Sequence, residues 1–389
     1  MKSTDRVDLL IVGGGVLGTF FAYHAIARGM RVMLVERNSA PIGATVRNFG
    51  MVVPSGLSES WQVFGRESLE IYQSIQSQFD ISVRQLGSIY LASDGDEMTL
   101  LQELHAINSQ NGYPSELWTA AKCRQRYPQL RADYCVGGLF FPEEISVNPR
   151  VMIHQLHDYL SSHDRYESRF QTTICDLAVD DQGHVKATTN TGNELQAMKA
   201  IVCSGSEFQT LFPKRFLSSD LQAVKLQMLQ LKPQSRADLP GNILTGLSIR
   251  RYESFSQCPS WESIKSREPE DSFEKRWGIH ILFKREADGR IILGDSHQVA
   301  SVAKYDTLGF DLRDDVNQFM MKSAAQIIDL PCWELESSWT GIYCQTEDPS
   351  GVFTETIDDQ IHVVTGIGGK GMTSSAGFTK HFLKAVYDD

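Results

Sequence analysis

Gly13-x-Gly15-x-x-Gly18 sits between the apolar run Val7 to Val12 and a helix-forming segment, and Glu36 follows 18 residues after Gly18, at the end of a second apolar run. Glycines at this spacing permit a tight turn. They bring the backbone, with Val16 and Leu17 at the positive end of the helix, close enough to cradle a pyrophosphate. Glu36, with Arg37 beside it, stands where an acid can accept bonds from a ribose 2′-hydroxyl, and an acid there disfavours a 2′-phosphate. The pattern predicts dinucleotide binding and argues against NADP, while FAD and NAD both stay open. A second glycine cluster, "GIGGKGMT" (Gly366 to Thr373), lies after a strand-like run and before the last helix-like segment. It holds Gly366, Gly368, Gly369 and Gly371 around Lys370, too much glycine for a place that links no domains.

Other reactive side chains form no recognisable centre. No serine-histidine elbow and no pair of catalytic carboxylates is visible. His154 and His157 are one helical turn apart without a third ligand, which reads as helix surface. His280 and His297, in a predicted strand pair, are better pocket candidates. The seven cysteines are scattered, with no C-x-x-C, so neither a disulfide framework nor a zinc site is expected, and they read as reduced, mostly buried thiols.

The elements around these residues alternate. Val7 to Val12, Val16 to Arg28 (closed by Gly29) and Arg31 to Val35 read as strand, helix, strand, which predicts a doubly wound α/β sheet. An amphipathic helix follows in "SESWQVFGRESLEIYQSIQSQF", then a strand in "GSIYLAS" and a polar helical stretch to about Arg126. "GGLFFPEEISVNPR" gives a strand, a turn and a proline-started helix. A hairpin leads into the buried run Ala200 to Cys203, ended by Ser204 and Gly205. From Lys225 to about Trp339 alternating strands dominate. They are interrupted by the polar stretch at 250–276, which reads as an irregular lid or binding loop. "QIHVVTGIGGKGMTSSAGF" repeats strand, glycine turn, helix. The domains therefore read as interleaved: 1–85, 145–224 and 336–389 form a Rossmann-type domain, and 86–144 with 225–335 form a β-rich (α+β) substrate-binding domain.

At 389 residues and 41% apolar content the chain can build a sizeable core, and its net charge of −11 opposes binding to nucleic acid or an anionic membrane. Lys2 and Arg6 precede an apolar stretch that imitates a leader or anchor, but three consecutive glycines and His24 within it make a poor spanning helix. A cytoplasmic protein is expected, and a homo-oligomer is compatible with the sequence.

The first forty residues, followed by "GATVRNFGM" (Gly43 to Met51), resemble the D-amino-acid oxidase, glycine oxidase and sarcosine oxidase family of FAD-dependent amine oxidoreductases. "GGLFFPEEISVNPR", "IVCSGS", "GRIILGDSH" and "VVTGIGGKGMTSSAGF" are similar to later family segments, so the likeness covers nearly the whole chain. It implies that Ala44, Thr45, Arg47, Asn48, Phe49, Gly50 and Met51 wrap the FAD pyrophosphate and pass beside the flavin. It also implies that Ser204 and Gly205 lie beside the cofactor, and that the closing glycines, with Lys370, Met372 and Thr373, bring helix amides to the flavin's pyrimidine edge, where reduction puts negative charge.

The family's chemistry is hydride removal from the carbon next to an uncharged amine, leaving an imine that hydrolyses to a carbonyl. Many relatives hold the substrate carboxylate with an arginine in a Gly-x-Arg-Pro stretch. Here "WTGIYCQTEDP" puts Tyr343 in that place, which disfavours a simple D-amino acid. The chain is most similar to a bacterial subgroup associated with aminophosphonate breakdown, implying 2-aminoethylphosphonate or an N-alkyl derivative as substrate. Arg250, Arg251 and Lys370 are the candidate cations for its anion, with Tyr343 beside them, and Lys370, His280 and Tyr343 are the candidate catalytic residues. The cysteine that tethers flavin in some relatives aligns with Gly341, implying non-covalent FAD. The oxygen-activating lysine of others is replaced near Ile292 and Leu293, which leaves O2 or another acceptor open. The alternatives are a glycine, sarcosine or other amino-acid oxidase or dehydrogenase, and, more remotely, a non-catalytic flavin-binding sensor.

Overall fold

A computed structural model describes residues 6–388; Lys2, one of the two cations in the leader-like reading, lies outside them. The strand Val7–Val12 is the centre of the first sheet, running parallel to Val32–Val35 on one side and to Glu194–Val202 on the other. Leu9, Leu10 and Ile11 are fully buried, as a strand covered on both faces requires. Tyr166–Arg169 continues the parallel order beyond Val32–Val35, and Ile361–Thr365 continues it beyond Glu194–Val202. Three antiparallel strands bring this sheet to eight among the described residues.

The helix Val16–Ala27 shows almost no polar face because it is covered twice, by the last helix Gly371–Tyr387 and by Pro149–Ser161. The amphipathic helix Glu59–Gln76 packs on the same last helix. The approach is close: a Cβ on Gly377 would stand 2.3 Å from the Phe64 carbonyl. Phe20, Phe21 and Tyr72 are completely enclosed here, and burial of an aromatic or aliphatic side chain of this size contributes about 1.5–3 kcal/mol.

The second sheet has nine strands among the described residues. Its long strand Gln222–Leu231 pairs antiparallel with Leu335–Gln345, Ile291–Gly294 and Gln298–Ser301. The register places Val224 opposite Tyr343 and Leu226 opposite Gly341, so with a side-chain period of two all four share one face. The segment expected to be an irregular lid is instead folded into a 3₁₀ turn at Glu253–Gln257 and short helices at Trp261–Lys265 and Phe273–Arg276. Phe255, Cys258 and Ile264 drive this, since they are buried in the same cluster as Leu100 and Leu104 of the helix Gly95–Gln110. All seven cysteines are free, and Cys175 is exposed. Among the described residues no helix is long and apolar enough to cross a membrane.

Candidate active site

A cavity of about 810 Å³ runs from the first glycine turn to the face of the second sheet. At one end lie Gly13, Gly15, Val16, Leu17 and Gly18, with Glu36 and Arg37 opposite. Gly13 has φ +110°, and a Cβ there would meet the Cys203 carbonyl at 2.3 Å. At Gly15 a Cβ would meet only Thr45 Oγ1 at 3.2 Å, so the space Gly15 leaves opens into the cavity. Glu36 is buried and fixes the turn by accepting from the Gly14 amide at 2.9 Å and, through its other oxygen, from the Asn38 amide at 2.9 Å.

His157 supports this turn from beneath. Expected on a helix surface, it is buried, whereas its neighbour His154 is exposed. Its Nε2 donates to the Gly14 carbonyl at 2.9 Å while Nδ1 accepts from the Tyr166 hydroxyl at 3.2 Å. Burial pushes its pKa down, which keeps the ring neutral and able to serve both partners. One turn of helix separates the two histidines, and the Pro149–Ser161 helix aims only the second at the core.

The segment Ala44 to Met51 lines the middle of the cavity. Asn48 ties it together, donating to the Ala44 and Thr45 carbonyls (3.0 and 2.9 Å) and accepting from the Gly50 amide (2.7 Å). Arg47 donates to the Thr340 carbonyl at 3.0 Å, which links this segment to the strand carrying Gly341 and Tyr343. From the other side come Ser204, Gly205 and the closing cluster Gly366 to Thr373. Gly371–Tyr387 carries no side-chain cap at its N-terminus, the Val16 amide that opens the other helix donates to Thr45 Oγ1 at 3.0 Å, and Ser204 Oγ is buried without a hydrogen-bond partner among the described residues. Two glycine turns that each open a helix, an acid at the end of the second strand and an orphaned hydroxyl fit an elongated, doubly charged dinucleotide with a flavin at its far end.

The far end is polar and partly buried. The hairpin Leu282–Arg285/Ile291–Gly294 is flanked by His280, Asp295 and His297, which lie just beyond its strands rather than in them, with the His280 amide donating to the Asp295 carbonyl at 2.8 Å and the His297 amide to the Trp277 carbonyl at 2.7 Å. The ring centroids of His280 and His297 are 5.4 Å apart, and those of His297 and Tyr343 are 6.3 Å apart. His280 Nδ1 lies 3.1 Å from Ser248 Oγ, and burial, reinforced by Arg251 and His297, holds its pKa well below the usual range. Burial raises the Tyr343 pKa, and Asp295 adds to the shift.

The three candidate cations differ. Arg250 is not at the cavity: its guanidinium pairs with Asp94 at 2.7 Å, Glu97 at 2.8 Å and Glu268 at 3.5 Å. That corrects the expectation of an anion clamp, because its charge is spent on three carboxylates beside the helix Gly95–Gln110. Arg251 lines the cavity and is exposed; its guanidinium donates to the Gly278 carbonyl and makes no ion pair among the described residues. Lys370 lines it too, but its ammonium stands 5.2 Å over the Trp61 ring and 3.7 Å from Glu253. Sequence reasoning missed Tyr252 and Asp295 as cavity residues. Asp295 lay in the "GDSH" already noted, where a carboxylate directly after a strand glycine was the available signal.

These features define the class: an α/β dinucleotide-binding protein whose cofactor cavity is closed by a second, antiparallel-rich sheet. The profile of the family described as FAD dependent oxidoreductase (DAO) matches residues 8–383, so the chain belongs to that family and its cofactor is FAD. Glycine oxidase of Geobacillus kaustophilus (strain HTA426) is 24% identical over 354 residues, 89% of this chain and 83% of the relative. The mitochondrial pyruvate dehydrogenase phosphatase regulatory subunit of Mus musculus is 27% identical over 146 residues, 37% of this chain, and the chain spans 17% of that relative's length. Among solved structures, Geobacillus kaustophilus glycine oxidase superposes with a TM-score of 0.76 at 18% identity, covering 99% of this chain and 95% of the other. At that identity the likeness speaks for the fold alone.

Proposed function

We propose that the protein oxidises a small amine that also carries an anionic group, releasing a carbonyl compound and ammonia or an alkylamine. The observation that carries this reading is Arg251, a cavity-lining guanidinium without an ion pair among the described residues, beside the buried His280 and Asp295 and the half-buried His297 and Tyr343. FAD, bound non-covalently along the glycine turns, supplies the hydride acceptor. The chain's own residues then have three tasks. The closing cluster Gly366 to Thr373 presents helix amides to the charge that develops on reduction. Arg251 takes the substrate's anion and Tyr343 borders it, with Lys370 at the rim held back by Glu253. The apolar wall of Val224, Leu226 and Leu282 keeps water from the reacting carbon and orients it.

For the substrate we put 2-aminoethylphosphonate or an N-alkyl derivative first, since a tyrosine replaces the carboxylate-gripping arginine and the likeness to the aminophosphonate subgroup includes this stretch. The second reading, glycine, sarcosine or another amino acid, is favoured by the 24% identity to glycine oxidase over 89% of the chain. Seven free cysteines fit a reducing, cytoplasmic setting. The test is anaerobic titration of the FAD-loaded protein. Bleaching of the flavin by 2-aminoethylphosphonate or its N-methyl derivative is expected, and Arg251→Ala should weaken that substrate at least 10-fold with FAD retained, whereas Arg250→Ala should lower stability and leave affinity within about 2-fold. Bleaching only by amino acids supports the second reading, and no bleaching by any amine refutes both.

A further inference from the structure

We propose that Asp295, with His297 beside it, is the docking point for the substrate's protonated amine and accepts the proton the amine must lose before oxidation. The inference rests on the amine-oxidation reading above and adds the residues that recognise nitrogen.

Asp295 is 8% exposed and lines the cavity, and its Oδ1 is buried with no hydrogen-bond partner among the described residues. Its other oxygen lies 3.8 Å from His297 Nε2, beyond hydrogen-bond range. The state of that imidazole follows from its other contact. The Gly278 carbonyl can only accept, so at 2.8 Å His297 Nδ1 carries the ring hydrogen. In the neutral ring Nε2 is then an acceptor, and it faces a carboxylate. Two acceptors oppose one another beside a third, unpartnered oxygen, and the missing partner is a donor.

The surroundings do not supply one. Burial raises the Asp295 pKa against the pull of His297, Arg251 and its own amide, and Arg251 gives its hydrogen bond to the Gly278 carbonyl and makes no ion pair with Asp295. Tyr252 and Tyr343 also feel the Asp295 charge, and His280 meets His297 edge to face; none of these is hydrogen-bonded to Asp295 Oδ1. An isolated buried carboxylate is costly, and a cation with N–H groups relieves it. A primary or secondary ammonium meets the requirement and a quaternary one does not. In the proton transfer one N–H bond of the ammonium breaks, its electron pair stays on nitrogen, and the proton passes to Asp295 Oδ1, with His297 Nε2 as its second acceptor. No oxidant takes part in this step. The cavity thus reads a zwitterion by two ends, nitrogen at Asp295 and anion at Arg251.

The test uses the FAD-loaded protein and two ligands of nearly identical shape that cannot be oxidised. 2-Amino-2-methylpropylphosphonate has no hydrogen on its amine-bearing carbon, and 2,2-dimethylpropylphosphonate replaces the amine by methyl. If the wild type takes carboxylates instead, 2-aminoisobutyrate and pivalate form the equivalent pair. Calorimetry on Asp295→Asn should show the amine ligand weakened about 10- to 100-fold and the amine-free ligand unchanged within about 2-fold. FAD content and melting temperature verify folding, and if Asp295→Asn does not hold FAD, His297→Gln carries the test with a selective loss of at least 3-fold. Equal weakening of both ligands, or of neither, overturns the proposal while leaving bleaching by amines intact. A wild type that no amine bleaches would sink the parent reading instead.

Discussion

Lys284 offers a quantitative check on how the cavity wall is held. Its side chain is 3% exposed, and its ammonium donates to the Phe49 carbonyl at 2.7 Å, to the Val147 carbonyl, and to Glu286 at 3.0 Å. Burial pulls its pKa down and Glu286 pulls it back up. Lys284→Met would leave the 12%-exposed Glu286 carboxylate without its partner, a break that costs about 3–5 kcal/mol. It would also orphan two main-chain carbonyls at about 1 kcal/mol or more each. With overlap between these terms, a loss of about 5 kcal/mol is expected. In the double variant Lys284→Met/Glu286→Gln the stranded charge is gone, so about 2 kcal/mol should return. Because Phe49 and Gly50 line the cavity, FAD should be released at lower urea in the single variant. The assay is urea unfolding followed by tryptophan fluorescence and flavin release. A single variant within about 1 kcal/mol of wild type, or a double variant no better than the single, would refute the account.

Two further outcomes follow from other parts of the molecule. Gly13→Ala, with φ +110° and its Cβ 2.3 Å from the Cys203 carbonyl, should lose FAD and melt early, whereas Gly369→Ala, whose added methyl meets no described residue within 4 Å beyond its chain neighbours, should fold normally; flavin absorbance and melting curves decide between them. Stability should also fall in mild acid. Burial lowers the pKa of His24 and of His362 to about 4, against about 6.5 unfolded. Between those values the unfolded chain binds the extra protons, so stability is complete above the unfolded pKa and is lost as pH drops towards 4, by about 2 kcal/mol per histidine at pH 5. His24→Gln keeps a donor for the Ala376 carbonyl that His24 now serves and should lessen the slope; equal melting temperatures at pH 5 and pH 7.5 would contradict this.

The dinucleotide end of the cavity was legible because its determinants are contiguous. Strand Val7–Val12, the glycine turn and helix Val16–Ala27 follow one another without interruption, and local sterics alone demand glycine at φ +110°. Glu36 was readable from spacing for the same reason, the strand Val32–Val35 being too short to leave its end in doubt. His157 was not legible. Whether it or His154 faced the core depended on which side of the Pro149–Ser161 helix the first sheet would cover. The 250–276 segment misled because its polar composition hides three apolar residues, Phe255, Cys258 and Ile264, whose burial decides its structure.

The proposed substrate end is assembled from four separate segments, so spacing could not reveal it, and the two arginines show why. Arg250 ends the short helix Gly246–Ile249 and turns towards Asp94, the residue that also caps the helix Gly95–Gln110 by accepting from the Glu97 amide at 2.8 Å. Arg251, one residue on, turns the other way and reaches the Gly278 carbonyl, which also accepts from His297 Nδ1. In sequence the pair is symmetrical, and only the acids of a distant helix break the symmetry. Arg250 is therefore held by three carboxylates while Arg251 is left to line the cavity, which is what the proposed role of Arg251 as the anion's partner requires.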